Sequence, residues 1–74
     1  MQRYANLSGN SGVDAYEVGA DSITVKFTTG RVYLYTNESA GADNVEHMKL
    51  LAAHGRGLSG FISSTVRDLY AERW

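Results

Sequence analysis

The sequence predicts an α+β fold, in which a three-stranded antiparallel sheet is followed by two helices packed on one of its faces. In the first half of the chain, short runs of alternating apolar and polar residues are separated by glycine-containing turns, as in antiparallel strands. In the second half, apolar residues recur at intervals of three or four, as in amphipathic helices. A chain of 74 residues has the length of one domain.

The first residues of the chain are expected to form a flexible lead-in. Residues 1–12 are rich in glycine, serine and asparagine, which are typical of irregular segments, so the domain itself is expected over 13–74. Tyr4 and Leu7 are the candidates of this segment for packing on the domain. Met1 and Trp74 at the two ends lead us to expect a complete short protein.

Strands are expected at 13–18, 23–29 and 31–36. The second of them alternates strictly, which places Ile23, Val25 and Phe27 on one face and makes Phe27 a predicted core residue. The third is rich in β-branched and aromatic residues, which favour strands. A glycine turn at Thr29 and Gly30 joins these two strands into a hairpin.

Helices are expected at 43–54 and 59–72. Asp43 lies three residues before Glu46, a spacing that resembles a capping box at a helix start. Gly55 suits the left-handed position that ends a helix, and Ser59 suits the cap of the next one. The apolar stripes of the two helices are Val45, Met48, Leu51 and Ala52, and Ile62, Val66, Leu69, Tyr70 and Trp74.

Composition and charge exclude several classes of protein. Cysteine is absent, so disulfides and thiolate metal ligands are excluded. Seven basic and eight acidic residues give a net charge of −1, which disfavours a strongly basic nucleic-acid domain and leaves room for a local basic patch. The chain has no signal peptide pattern and no apolar run near the ~20 residues of a membrane span. We therefore expect a soluble, cytoplasmic protein with no membrane partner.

No residue pattern indicates catalysis or metal binding. His47 and His54 are seven positions apart on one predicted helix, about 10 Å, which is too far for one metal ion, so solvated histidines are expected. Serines 59, 63 and 64 have no recognisable histidine–carboxylate partner, and the acidic residues are scattered along the chain. We expect a protein without catalytic residues, cofactor or small-molecule substrate.

The segment from Gly55 to Gly60 matches G-x-G-x-x-G, but it joins two predicted helices instead of following a strand. A dinucleotide site is therefore not indicated. Two interpretations stay open: a helix end, connector and helix cap, or a loop whose Arg56 and backbone N–H groups contact a phosphate.

The hairpin register decides where Tyr33 and Tyr35 point. A two-residue turn places them beside Lys26 on the face opposite Val25, where an aromatic and basic surface including Arg31 could stack bases. A three-residue turn with a glycine bulge places them with the apolar residues of the preceding strand, and then Val32 and Leu34 face outward. The residues alone leave both registers open.

The chain resembles the KTSC domain, a family named for its occurrence at the C-terminus of some lysyl-tRNA synthetases and also found as stand-alone bacterial proteins. The central Y-x-Y of that family is present as Tyr33-Leu34-Tyr35, after an alternating strand and a glycine turn. The later motif aligns with Gly60-Phe61-Ile62-Ser63, then Val66-Arg67 and Tyr70. The resemblance covers roughly residues 11–70.

Two departures from the KTSC pattern stand out. Ser63 occupies a position where the family often has asparagine, and the loop at 37–44 is longer and lacks the usual Val-Pro. The resemblance implies that Tyr33 and Tyr35 face the core, and that Gly60, Phe61 and Tyr70 are structural. The function of the family is unknown, and its genomic setting suggests RNA.

The sequence and the resemblance together favour a non-enzymatic binding module. The first hypothesis is RNA binding through a basic patch of Lys26, Arg31, Arg56 and Arg67, in which cationic side chains contact phosphates. The alternative is a protein-interaction or self-association module that uses Val32 and Leu34 if they face outward. Clustered arginines would favour the first hypothesis, and a bare apolar sheet face would favour the second.

Overall fold

The computed structural model describes residues 1–7, 9 and 11–74, so Ser8 and Asn10 of the predicted lead-in lie outside the described residues. The fold is α+β with an antiparallel sheet, as the sequence predicts. In the described residues the sheet has five strands in sequence order, not three. They are β1 (Gln2–Arg3), β2 (Val13–Val18), β3 (Ser22–Phe27), β4 (Val32–Thr36) and β5 (Glu72–Arg73).

The helices follow β4. They are α1 (Asn37–Ala40), α2 (Ala42–His54) and α3 (Leu58–Phe61), and a π-helical turn (Ile62–Val66) continues α3. The prediction of α2 is confirmed within one residue, and Gly55 ends it in the left-handed conformation, with φ 73°. The predicted N-terminal caps of the two helices, at Asp43 and Ser59, are wrong. Helix α2 has no side-chain cap, and the residue before α3 is Gly57, not Ser59.

The capping box lies in α1, within a segment that the sequence analysis assigns to a loop. Thr36 Oγ1 accepts a hydrogen bond from Ser39 N–H at 3.1 Å, and Ser39 Oγ accepts one from Thr36 N–H at 3.0 Å. The two bonds satisfy backbone donors at the start of a one-turn helix. This short helix turns the chain from the end of β4 into α2.

The start of the chain is part of the fold, contrary to the prediction of a flexible lead-in over 1–12. Strand β1 pairs with β2, where Gln2 lies opposite Tyr16. Tyr4 is buried, and its hydroxyl oxygen accepts a hydrogen bond from the Leu58 backbone N–H at 3.3 Å, at the first residue of α3. Leu7, in contrast, is exposed.

The hairpin between β3 and β4 has the three-residue turn. Phe27 N–H donates to the Arg31 carbonyl at 2.8 Å, and Gly30 between them has a positive φ of 93°. Val25 therefore lies opposite Tyr33, and Lys26 lies opposite Val32. Both tyrosines of the Y-x-Y motif share the face of the apolar residues, whereas Lys26 points to the opposite face.

The core lies between this sheet face and the helices. Ile23, Val25 and Tyr35 are buried there, and Phe27 and Tyr33 are only partly buried. Phe27, predicted to be a core residue, therefore lies at the border of the core, where it packs against the buried residues. The helices contribute Val45, Met48, Ala52, Leu58, Ile62 and Val66, all of which are buried.

The second predicted helix ends early. Helix α3 and its π-helical continuation stop at Val66, and Leu69 N–H donates to the Val66 carbonyl at 2.6 Å, which closes a turn. The chain then runs along β4, where Ala71 N–H donates to the Leu34 carbonyl and Trp74 pairs with Val32. The expected helix over 67–72 is therefore replaced by a turn and an edge strand.

Candidate functional site

A pocket of about 440 Å³ opens between the tip of the β3–β4 hairpin and the segment that follows the π-helical turn. The hairpin and the C-terminal segment meet here because β5 lies along β4. The lining of the pocket includes an aromatic wall, formed by Phe27, Tyr33 and Tyr70, and three arginines, Arg31, Arg67 and Arg73. We call it the arginine–tyrosine pocket.

The aromatic wall is held by edge-to-face packing. The Tyr33 ring centroid lies 5.4 Å from that of Phe27 and 5.1 Å from that of Tyr70, with interplanar angles of 89° and 73°. Such pairs each add about 0.5–1.5 kcal/mol beyond the burial of their area. The Arg73 guanidinium lies 5.7 Å from the Tyr70 ring centroid, within cation–π range. The wall is therefore fixed by its own contacts while Tyr33 and Tyr70 stay partly exposed.

The pocket arginines make no ion pair and no side-chain hydrogen bond among the described residues. An ion pair among the described residues joins Lys49 to Glu46 at 3.0 Å, and neither of these residues lines the pocket. Within residues 1–7, 9 and 11–74, no hydrogen bond involves the side chain of Arg31, Arg67 or Arg73. Three cationic donors thus face one opening whose lining contains a single carboxylate, Asp68.

Arg67 has an unusual backbone. It sits at the second position of the turn that ends the π-helical segment, with φ 25° and ψ −98°. A side chain at positive φ in such a turn costs on the order of 1–3 kcal/mol, and glycine is the residue that these positions favour. Two hydrogen bonds hold the peptide: Arg67 N–H donates to the Ile62 carbonyl at 2.7 Å, and the Tyr35 hydroxyl donates to the Arg67 carbonyl at 3.3 Å.

Tyr35 supports the pocket from the core side. Its burial, together with the smaller effects of the neighbouring Tyr33, Asp68 and Tyr70, raises the pKa of Tyr35 to about 12. The phenol is therefore neutral at all physiological pH values and remains a hydrogen-bond donor. It fixes the peptide of Arg67 and closes the floor of the pocket.

The structure brings together only part of the predicted basic patch. Arg31 and Arg67 both line the pocket. Lys26 points to the opposite sheet face, because it lies opposite Val32 in the register of the hairpin. Arg56 lies in the connector between α2 and α3 and does not line the pocket. The patch of four predicted residues is thus not one surface.

Arg73 is the pocket residue that the sequence analysis missed. It follows the segment predicted as helix, and a two-residue strand shows too little alternation to be recognised. Its alignment opposite Tyr33 becomes visible only in the register of β4 and β5. A signal was present in the local composition, because Arg73 stands three residues after Tyr70, as a basic residue close to an aromatic one.

The residues that align with the KTSC motif lie in different parts of the molecule. Tyr33, Tyr35 and Tyr70 form one cluster at the pocket. Phe61 packs elsewhere, against His47, with ring centroids 4.7 Å apart. Gly60 is exposed in α3, and a methyl group there would meet no atom within 4 Å, so packing does not require glycine.

In the part of the chain that the structure describes, no group of three or more histidine or carboxylate side chains is placed to hold a metal ion. Nor does this part of the chain contain a helix with the length and apolar character needed to cross a membrane.

Comparison with known proteins adds no further assignment. No protein-family model, curated protein or solved structure matches the chain. The resemblance to the KTSC domain therefore stays a prediction, and the geometry of the pocket is the main support for a function.

Proposed function

We propose that the protein is a non-enzymatic module that binds single-stranded RNA through the arginine–tyrosine pocket. The observation that carries the proposal is the convergence of Arg31, Arg67 and Arg73 on one aromatic-walled opening. Among the described residues, their guanidinium groups make no hydrogen bond or ion pair. Guanidinium groups bind phosphate oxygens with two parallel hydrogen bonds, and aromatic rings accept unstacked bases. A single strand offers a phosphate and a base in every unit.

The distribution of charge supports the same proposal. The chain carries a net charge of −1, yet three of its seven basic residues line this pocket. Because the whole chain attracts a polyanion only weakly, binding depends on these local contacts, and affinity on the order of micromolar or weaker is expected at physiological salt. The proposed kinship with the KTSC domain, whose setting is that of lysyl-tRNA synthetases, favours RNA over DNA.

The salt dependence of binding tests the proposal. With about three phosphates neutralised, the logarithm of the association constant should fall with the logarithm of the salt concentration at a slope near −2, because each phosphate contributes roughly 0.7 on a single strand. Fluorescence anisotropy with a labelled oligoribonucleotide over a range of salt concentrations measures this slope.

Two double variants sharpen the test. Arg31→Ala with Arg67→Ala removes two pocket charges and should flatten the slope by roughly 1.4. Lys26→Ala with Arg56→Ala removes the same amount of charge outside the pocket and should leave the slope within error of the parent. Equal effects of the two variants would show a diffuse attraction and no site, and absence of binding at low salt would refute RNA binding.

A second candidate function is a protein-interaction module. Trp74 is 65% exposed and pairs through its backbone with Val32, on the sheet face that the helices leave open. Tryptophan is enriched among residues that anchor protein interfaces. Val32 and Leu34 on this face are themselves partly buried, so the apolar surface is smaller than a bare sheet face. Absence of RNA binding at low salt would favour this second candidate function over the first.

A further inference from the structure

We infer that the arginine–tyrosine pocket accepts one unstacked base of the RNA strand, which lies against the ring of Tyr70 while the adjoining phosphate lies on Arg67. This inference rests on the proposed function and adds to it. Phosphate binding alone would need only the arginines, whereas the structure adds a wall of aromatic rings beside them.

The size of the pocket fits one nucleotide unit. A volume of about 440 Å³ lies near the lower end of the roughly 300–1,000 Å³ that single small ligands occupy. A pocket of this size has room for one heterocycle with its sugar. The opening is bordered by the hairpin tip and the C-terminal segment, so a strand can pass over it and insert one base.

The aromatic wall is preorganised for such a base. Tyr70 is held by the edge-to-face contact with Tyr33 on one side and by the Arg73 guanidinium at 5.7 Å. The ring therefore needs no reordering when a ligand arrives, which lowers the entropic cost of binding. Contact of a base with such a ring strengthens binding by about tenfold to hundredfold, and it does so for every base because each has a π face.

The backbone of Arg67 points to a role for its side chain. A turn that served only to end a helix would carry glycine at φ 25° with less strain, yet this chain has an arginine there. The strained conformation directs the residue to the pocket lining, and the Tyr35 hydroxyl holds the peptide in place. An arginine kept at this position provides a cation beside the ring wall.

Two probes of equal charge separate base insertion from phosphate binding. One is a short oligouridylate, and the other is a strand of the same length and phosphate number that lacks its bases. The abasic strand should bind the wild-type protein at least about tenfold more weakly, with an unchanged salt slope. Equal affinities would overturn the inference and leave the proposed RNA binding intact, whereas failure of both strands to bind would overturn both.

Matched variants at Tyr70 locate the effect. Tyr70→Phe keeps the ring and should retain the difference between the two strands, whereas Tyr70→Leu should reduce that difference at least threefold. Circular dichroism and thermal melting check that both variants are folded. A Tyr70→Leu protein that is folded and still discriminates as strongly as the parent would place the base elsewhere and overturn the inference.

Arg67→Gly provides an independent variant that should fold well. Glycine relieves the backbone strain, so the melting temperature should stay at or above that of the parent, while both strands should bind several-fold more weakly. Undiminished binding by this variant would remove Arg67 from the site and overturn its part in the inference.

Discussion

The hydroxyl of Tyr35 connects the buried core to the rim of the pocket. The side chain is 1% exposed, and its hydroxyl donates to the carbonyl of Arg67, which lies in the strained turn. Because a buried phenolate would lose its hydration, the neutral form is favoured in the folded chain. The protonation state of this one residue therefore influences both the stability of the fold and the position of a pocket residue.

Alkaline pH should destabilise the protein through Tyr35. The pKa of Tyr35 rises from 10.0 to about 12 on folding. Below pH 10 the phenol is neutral in both the folded and the unfolded chain, so its full contribution to the free energy of unfolding is present. Between pH 10 and pH 12 the unfolded chain loses this proton before the folded chain does. At ~1.4 kcal/mol per pH unit, the free energy of unfolding should decrease by about 2–3 kcal/mol over that range. Urea unfolding at a series of pH values measures it.

The variant Tyr35→Phe isolates this contribution. It keeps the ring in the core and removes the titrating group, so its loss of stability between pH 10 and pH 12 should be smaller by about 2–3 kcal/mol. Below pH 10 it should be less stable than the parent by about 1 kcal/mol, since the hydrogen bond to the Arg67 carbonyl is lost. Parallel pH curves for the two proteins would contradict the assignment to Tyr35.

The sequence predicted some of the residues that line the pocket but not how they are arranged. Arg31 and Arg67 both belong to the predicted basic patch, and Arg31 was also predicted to lie beside the aromatic residues of the hairpin. The sequence could not separate Lys26 from them, because the face on which it lies depends on the length of one turn. The positive φ of Arg67 could not be predicted from the sequence either, because no glycine marks the turn and its conformation depends on the packing around it.

At the scale of elements, the regular segments were predicted well and their ends poorly. Helix α2 has a clear stripe with Val45, Met48 and Ala52 buried, and a glycine ends it. The second helix shows the limit of such patterns. Its predicted stripe continues through Leu69 and Tyr70 to Trp74, but Leu69 and Trp74 are exposed. The chain leaves the helix after Val66 and pairs with β4. Long-range pairing outweighed local periodicity there.

Two glycines of the helical region should respond oppositely to alanine. Gly60 is exposed inside α3 with open space around it, so Gly60→Ala should stabilise the protein by about 0.5–1 kcal/mol through the reduced entropy of the unfolded chain. Gly55 has φ 73°, and an added Cβ would lie 2.6 Å from Cβ of Ala5. Gly55→Ala should therefore cost more than about 1–2 kcal/mol.

Chemical unfolding of the two variants under one set of conditions measures the contrast. Each substitution adds one methyl group, so the chemistry of the change is matched and only the environment differs. A stabilising Gly55→Ala would show that α2 ends without the left-handed residue and that Ala5 does not pack on it. A destabilising Gly60→Ala would show that the added methyl group does not fit the space beside Gly60.

At the scale of the whole molecule, the two short edge strands complete the sheet. A domain of 74 residues buries only roughly 60% of the surface of its unfolded chain, so each added strand contributes a large share of the available contacts. Strand β1 protects β2, and β5 protects β4. Neither was predicted, because two residues carry no periodicity and their pairing depends on where distant parts of the chain meet.

Removal of residues 71–74 should make the protein less stable and more prone to associate. Three backbone hydrogen bonds with Val32 and Leu34 would be lost, which costs about 1–3 kcal/mol after the gain in chain entropy. Strand β4 would become an edge with unpaired N–H and C=O groups, and such an edge is a template for pairing with a second chain. Thermal melting should show the loss of stability, and sedimentation velocity over a range of concentrations should show larger species than for the full chain.

The full-length variant Arg73→Ala with Trp74→Ala separates backbone pairing from side-chain effects. It keeps the backbone of β5 against β4, so it should sediment like the parent at every concentration, although it loses a pocket arginine and the most exposed aromatic side chain. If this variant associates as strongly as the truncated chain, the side chains and not the edge strand protect β4. If the truncated chain sediments like the parent, β4 needs no cover, and the contribution of β5 is limited to placing Arg73 at the pocket.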